Sequence, residues 1–407
     1  MKEIGFICDV TPGVNPIHTF GRAWFDRAIP MANFLEQNGA QLIIYSRLHV
    51  DPKTKRVQGY ILENSQFITV ETSVPTVNGS WFFGITNSHN KSKMNATEYY
   101  KWANEHDIEI YPSMEFLKFA ADKLLCYETV THINKTIQQY TEVYNKTASQ
   151  LKRFFERHDA IFIKPQYGGH GEGICLLKKR NDRHSVEVYS DKGNTIKESE
   201  SVGQLNTKVA QIIGEKPYII QEAVDVEKFE GSAFDIRVIT VNDGQHWKPS
   251  WKFRLSKKNS DVSNLGQGGE IKDVDEYMSK VFIDDVAESL KQKILDEAIN
   301  ISQTIDQVYD GEVMELAFDF VISKDKSIKL LELNACPDMV QPNMPISIRS
   351  NKGADATSKK RDNSYADIFD LSDNEVSSFN KYTASYSENL AKFLLSKVHC
   401  KVISRLA

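Results

Sequence analysis

The sequence predicts an α/β protein in three parts: an α/β front, a central strand-rich part and an antiparallel sheet at the back. Three observations predict it. A strand–helix–strand order at the front points to a small parallel sheet. Strand patterns crowd the chain from residue 160 onward. A long amphipathic stretch over 285–308 is followed by two apolar strands flanking a polar turn. The expected divisions are a front domain over 1–112, a central lid over 113–225 and a C-terminal catalytic part over 226–407.

Each element has its own signal. Residues 3–9 (EIGFICD) are a short apolar strand. Residues 22–37 carry Trp24, Ala28, Ile29, Met31, Phe34 and Leu35 at helical spacing, with Pro30 as a kink and Gly39 just past the end. QLIIYS over 41–46 is a buried strand, and two further strands with polar turns fall within 54–95. Helices are expected over 96–106 and 113–128, with a short strand over 108–112 between them. Strands follow over 160–165, 173–179, 184–190, 218–224, 233–242 and 249–256, and a helix over 202–213. Residues 345–385 are poor in aliphatics and are expected to form a long loop or lid before a closing helix over 386–399.

Composition sets outer limits. The chain has 407 residues, 41% of them apolar and 26% charged, with a formal net charge of −5. That is ordinary globular composition and excludes a disordered chain, a collagen or a small disulfide scaffold. A dedicated nucleic-acid binder would show a basic surplus, so none is expected. No apolar run is long enough to span a membrane. Five cysteines without a CxxC pair argue for free thiols in a cytoplasmic protein.

The most informative segment is MELAFDFVIS…SIKLLELNACPD. With a two-residue turn at Asp325 and Lys326, Asp319 stands opposite Glu332, and Asn334 shares its face. Facing carboxylates repel each other, and a bound cation would remove that cost. Oxygen donors without His or Cys suit Mg²⁺ or Mn²⁺, whose remaining ligands are commonly nucleotide phosphates. The same alternation also fits a solvated strand face, and a three-residue turn would flip the register.

A second candidate is IFIKPQYGGHGEGI over 161–174. A strand ends at Lys164, and a loop holding Gly168, Gly169, Gly171 and Gly173 follows. Glycines let backbone N–H groups approach phosphate, although such a loop also serves as a plain turn. It is neither a P-loop nor a dinucleotide fingerprint. Third, Asp235 and Arg237 share one strand face and Arg254 lies on the next strand, a pattern that fits either two guanidiniums presented to a phosphate or a carboxylate, or ordinary exposed strand arginines. SDVSNLGQGG over 260–269, with Asn264, has the small residues of a loop packed close to a ligand.

Taken in order, these pieces resemble the ATP-grasp superfamily over roughly residues 110–340. The resemblance rests on Lys123 in FAADKLLCYETV, Lys164 with its glycine loop, YIIQEAV, the DIR triplet at 235–237, Arg254, Asn264, and Asp319, Glu332 and Asn334. The front end and the SNLGQGG loop look most like the spore-coat-associated YheC/YheD family. Such a resemblance implies an ATP-grasp fold, with a preATP-grasp front domain, a small central lid and an antiparallel catalytic sheet. It implies ATP between the last two, with Lys123 and Lys164 on its phosphates. Glu222, Ala223 and Val224 would bind adenine, and Glu230 the ribose. Asp319, Glu332 and Asn334 would hold Mg²⁺. Arg254 would stabilise the transferred phosphoryl group, with Arg237 and Asn264 in the same pocket or on the carboxylate substrate.

The implied reaction joins a carboxylate to an amine (an amino acid, a peptide or a protein tail) through an acyl phosphate. A small-molecule kinase and a nucleotide-binding coat protein are the alternatives. Cys336 beside the metal set is expected to be a packing residue, and His170 a solvent-facing loop residue. Asp338 stands where many relatives have Gly, which bears on the shape of the substrate pocket.

Overall fold

The computed structural model describes residues 1–8, 22–64, 66–81, 94–168, 173–180, 183–188, 195–256, 269–335 and 384–398. Three six-stranded sheets organise them.

The first sheet is the predicted α/β front. Its parallel core runs β2 (Ala40–Asp51), β1 (Lys2–Cys8), β5 (Val77–Trp81) and β6 (Glu109–Tyr111). The hairpin β3 (Arg56–Glu63) and β4 (Gln66–Ser73) extends it antiparallel at one edge. Helix α1 (Arg22–Gln37) packs on one face through Ala28, Met31 and Leu35. Helix α2 (Ala96–Asn104) packs on the other through Tyr99 and Ala103. Asn95 and Glu98 cap α2 reciprocally, a capping box that satisfies two otherwise orphaned amides.

The expected helix over 113–128 is two helices, α3 (Met114–Ala121) and α4 (Lys123–Ile133). They part at Asp122, which leaves helical geometry (φ −99°, ψ 102°) to become the N-cap of α4. Its carboxylate accepts from the Leu124 and Leu125 amides at 3.0 and 3.2 Å. The break places Lys123 at the first turn of α4.

The second sheet is wholly antiparallel. Its order is β11 (Thr195–Ser199), β10 (Arg183–Val188), β9 (Cys175–Arg180), β8 (Ala160–Pro165), β12 (Tyr218–Glu222) and β7 (Thr141–Val143). Helices α5 (Ala148–Phe155) and α6 (Val202–Ile213) cover one face, where Leu151, Phe154, Leu205 and Val209 meet Ile161, Ile163 and Ile220. Strand alternation sends Phe162, Lys164, Ile219 and Gln221 to the opposite face.

The third sheet runs β16 (Glu270–Lys272), β15 (Trp247–Leu255), β14 (Ser232–Asn242), β17 (Glu315–Ile322) and β18 (Ile328–Asn334), with β13 (Lys228–Phe229) pairing on β14. Helices α7 (Val274–Val281) and α8 (Asp284–Val308) lie on its apolar face. Helix α8 buries Leu290, Ile294, Ala298, Ile301 and Ile305, spaced three or four residues apart, against Ile236, Val238, Phe318 and Phe320. Each buried Leu or Ile there contributes about 1.5–3 kcal/mol. The closing helix α9 (384–398) packs across part of the opposite face. Its Leu390, Phe393 and Leu394 join a core with Ile239, Val241 and Ala317 of the third sheet and Ile4 and Phe6 of the first. The rest of that face is charged.

Candidate active site

The charged face is built by strand register. Lys252, Arg237, Asp319 and Glu332 stand in one row across β15, β14, β17 and β18. Arg254 and Asp235 form the next row. Asn334, opposite Ala317, lies two residues along from Glu332 on the same face.

Asp319 and Glu332 are cross-strand partners as expected, but by a different route. The turn has three residues rather than two. The Ser323 amide donates to the Ser327 carbonyl at 2.9 Å, and Lys326 adopts a φ of +66° to close the loop. Near the turn the register is therefore one residue off the expected one, with Phe320 opposite Leu330. A β-bulge then inserts Leu331, and the expected register returns at Asp319 and Glu332.

Asp319 is 4% exposed and is held from two sides. Arg237 donates from Nε and Nη2 at 2.7 and 2.8 Å. Arg254 Nη2 donates at 2.9 Å and also reaches Asp235. Burial would raise the Asp319 pKa, but the two guanidiniums outweigh it and hold the carboxyl well below its usual range.

Across a cleft from this face lie the lysines. Lys123 Nζ is 2.6 Å from Glu332 Oε1 and 2.5 Å from the Gly168 carbonyl. The Lys123 amide donates to the Gln166 carbonyl at 3.0 Å, and Asp122 accepts from Gln166 Nε2 at 2.9 Å. The start of α4 is thus tied to the start of the glycine loop. Lys164 Nζ donates to Gln221 Oε1 at 2.6 Å and lies 5.1 Å from the Phe162 ring centre. Burial pulls the Lys164 pKa down to about 8, reinforced by Lys123 and opposed by Glu332 and Asp319. Lys123, Lys164, Gln221 and Glu332 line one cleft with the apolar Val130, Ile219 and Leu333. Cys126 is also in its wall, and burial pushes that thiol up to about 12, so it stays neutral. Gly168 and Gly173 have φ of +116° and +73°, which a side chain would strain.

The backbone after β12, expected to meet adenine, is partly committed within the protein. The Glu222 amide donates to the Tyr140 carbonyl at 3.0 Å, and the Ala223 amide to the Ala160 carbonyl at 3.2 Å. The structure does not bring Glu230 to the cleft. With Gly231 it forms the tip of the β13–β14 hairpin, both residues at positive φ, and its charge acts on Lys280. Asn264, Gly169, Gly171, His170, Cys336, Asp338 and nearly all of the 345–385 stretch lie outside the described residues.

Two polar residues of this region escaped the sequence reading. Gln221 holds Lys164, and nothing in YIIQEAV marks it before Lys164 is placed. Lys252 is 3% exposed beside Arg237. Its signal was available: in WKFR, Lys252 and Arg254 alternate with Trp251 and Phe253.

Asp319, Glu332 and Asn334 fit a hard divalent cation by donor chemistry, since all three offer oxygen on one sheet face. Among the described residues no group of three or more His, Cys, Asp and Glu is arranged to hold a metal ion, so the set depends on Asn334 for its third oxygen.

An antiparallel sheet bearing carboxylates and arginines, faced across a cleft by one lysine from a second sheet and one from a helix start, defines an ATP-grasp architecture. The YheC/D-like ATP-grasp family model matches residues 118–358, more than half of the chain. The chain belongs to that family. Endospore coat-associated protein YheC of Bacillus subtilis (strain 168) is 24% identical over 327 residues, covering 77% of this chain and 85% of that protein. Endospore coat-associated protein YheD of the same strain is 26% identical over 182 residues, 44% of this chain and 39% of that one. Among solved structures, a Chryseobacterium gregarium RiPP-associated ATP-grasp ligase, in complex with ADP and a leader and core peptide, has 12% identity and a TM-score of 0.49, with 98% and 97% coverage. D-alanyl-alanine synthetase A of Vibrio cholerae has 11% identity and a TM-score of 0.45, with 83% and 90% coverage. At these scores neither likeness bears on this chain's activity. No helix among the described residues is long and apolar enough to cross a membrane.

Proposed function

We propose that this protein is an ATP- and Mg²⁺-dependent carboxylate–amine ligase. The observation that supports it best is the cleft itself: Lys123, Lys164 and Glu332 line it, and Asp319 with two carboxylate-gripped arginines continues from Glu332 on the same sheet face.

ATP would lie in the cleft with its base toward the hinge after β12. Val130, Ile219 and Leu333 would give it an apolar wall. Lys123 and Lys164 would neutralise its phosphates. Asp319, Glu332 and Asn334 would hold Mg²⁺, which when bound would supply positive charge against the phosphates. The substrate carboxylate oxygen attacks the γ-phosphorus, and the bond to ADP breaks, giving an acyl phosphate. The amine then attacks the acyl carbon, loses its proton, and phosphate leaves with the bonding electron pair. Arg254, already fixed by carboxylates, would stabilise the phosphoryl group in flight. Arg237 is placed beside it for the same charge or for the substrate carboxylate. In this reading the second sheet acts as a lid over the third.

The test is a mass-resolved product screen. The protein is incubated with Mg²⁺–ATP and a panel of carboxylates, amino acids and peptides. The expected result is a condensed mass that depends on added amine, with ADP and phosphate in equal amounts. A phosphorylated product formed without any amine would replace the ligase with a kinase.

A further inference from the structure

Asp235 lies on β14, 1% exposed, directly opposite Arg254 on β15. Its oxygens accept from Arg254 Nε at 2.5 Å and Nη2 at 2.8 Å. Arg254 Nη2 also donates to Asp319 at 2.9 Å. Three of the five guanidinium donors are therefore engaged, and the two on Nη1 remain. The Arg254 side chain keeps 9% of its surface exposed. Arg237 is gripped by its Nε–Nη2 edge too, in that case by Asp319. A planar guanidinium held by two parallel bonds at one edge cannot turn about its Nε–Cζ axis. Held through Asp319 alone, Arg254 would pivot on a single bond.

We propose that Asp235 is a positioning residue. It locks the Arg254 guanidinium by its Nε–Nη2 edge, so that Nη1 keeps a fixed direction toward the group that Arg254 serves. That group is the phosphoryl in transfer, and only this clause rests on the ligase reading. Asp235 itself touches no substrate.

The experiment compares Asp235→Asn with the unaltered protein in two ways. The first uses Mg²⁺–ADP alone and Mg²⁺–ADP with fluoroaluminate, a mimic of the phosphoryl in flight. An amide keeps the shape but accepts only one of the two bonds. ADP affinity stays within about twofold, while trapping with fluoroaluminate weakens by at least about tenfold, the loss of one charge-assisted bond. Asp235→Glu recovers part of the trapping. The second is the ¹⁵N–¹H signal of Arg254 Nε, identified by its loss in Arg254→Lys. It is sharp in the unaltered protein and broadened in Asp235→Asn. Trapping equal to that of the unaltered protein, or an unchanged Nε signal, overturns the proposal. If Asp235→Asn does not fold, Asp235→Glu carries the comparison, with reduced trapping at unchanged melting temperature as the expected result. An unaltered protein that binds no Mg²⁺–ADP would sink the nucleotide reading of the cleft, and the Nε signal would then decide Asp235 by itself.

Discussion

The two arginines of the third sheet and the two lysines across the cleft carry the same charge and are held in opposite ways. Arg237 is clasped by a buried carboxylate at two donors and Arg254 by two buried carboxylates at three. Lys123 and Lys164 each reach a single side-chain oxygen, and the Lys123–Glu332 pair is part-exposed, at 18% and 29%. Burial pulls the Lys164 pKa down to about 8, whereas Arg254 is driven further above its already high value by Asp235 and Asp319 in spite of burial. The arginines are fixed before anything binds, and the lysines are left to adjust. A phosphate-transfer cleft needs both, since ligands must enter and yet meet preorganised charge.

The largest test of that contrast removes the shared carboxylate. Asp319→Ala leaves two guanidiniums without it, and the loss is about 3–5 kcal/mol in urea unfolding. Glu332→Ala abolishes ATP turnover but costs less than about 1 kcal/mol of stability, because its ion pair is part-exposed. Equal destabilisation by the two would break the comparison.

A smaller effect follows pH. Mg²⁺–ADP affinity is flat below about 8 and falls above it, as Lys164 loses its proton. Lys164→Arg stays charged and removes the fall. Stability moves the other way. The folded Lys164 pKa lies below its ordinary 10.5, so the unfolded chain binds that proton more tightly. Folding is therefore penalised below about 8, and stability rises with pH between about 8 and 10.5. Lys164→Met removes that rise in unfolding curves measured across the range. The smallest effect belongs to Lys123→Ala, which raises KM for ATP by about threefold to tenfold, the worth of one charge-assisted bond. Its removal also strengthens Mn²⁺ binding without nucleotide, because Glu332 loses a competing partner. Electron spin resonance of Mn²⁺ reads that change.

Much of the scaffold was legible because its signals are local. The alternation of Phe234, Ile236 and Val238 with Asp235 and Arg237 fixes which face is charged, and the stripe Leu290–Ile305 fixes which face meets α8. What escaped is non-local. The grip of Asp319 on Arg237, 82 residues away, depends on which strands become neighbours, and no window of sequence shows that. The split at Asp122 was a helix-capping signal hidden inside an apolar, helix-favouring run. Glu230 was placed on the ribose by resemblance, whereas the Glu230-Gly231 pair is first of all a tight-turn sequence.

The β17–β18 hairpin carries a consequence for heredity. Its three-residue turn shifts the strand by one, and the bulge at Leu331 shifts it back. Deleting Leu331 would bring Glu332 directly after Leu330 and leave it opposite Asp319 in an unbroken ladder, and deleting Asp325 would shorten the turn to two residues between the same Ser323 and Ser327. Length differences in this hairpin are therefore expected to be inherited at the turn and at the bulge, and not within the paired stretch Ile328–Leu330, where a lost or gained residue would move Glu332 off Asp319 unless the bulge moved with it.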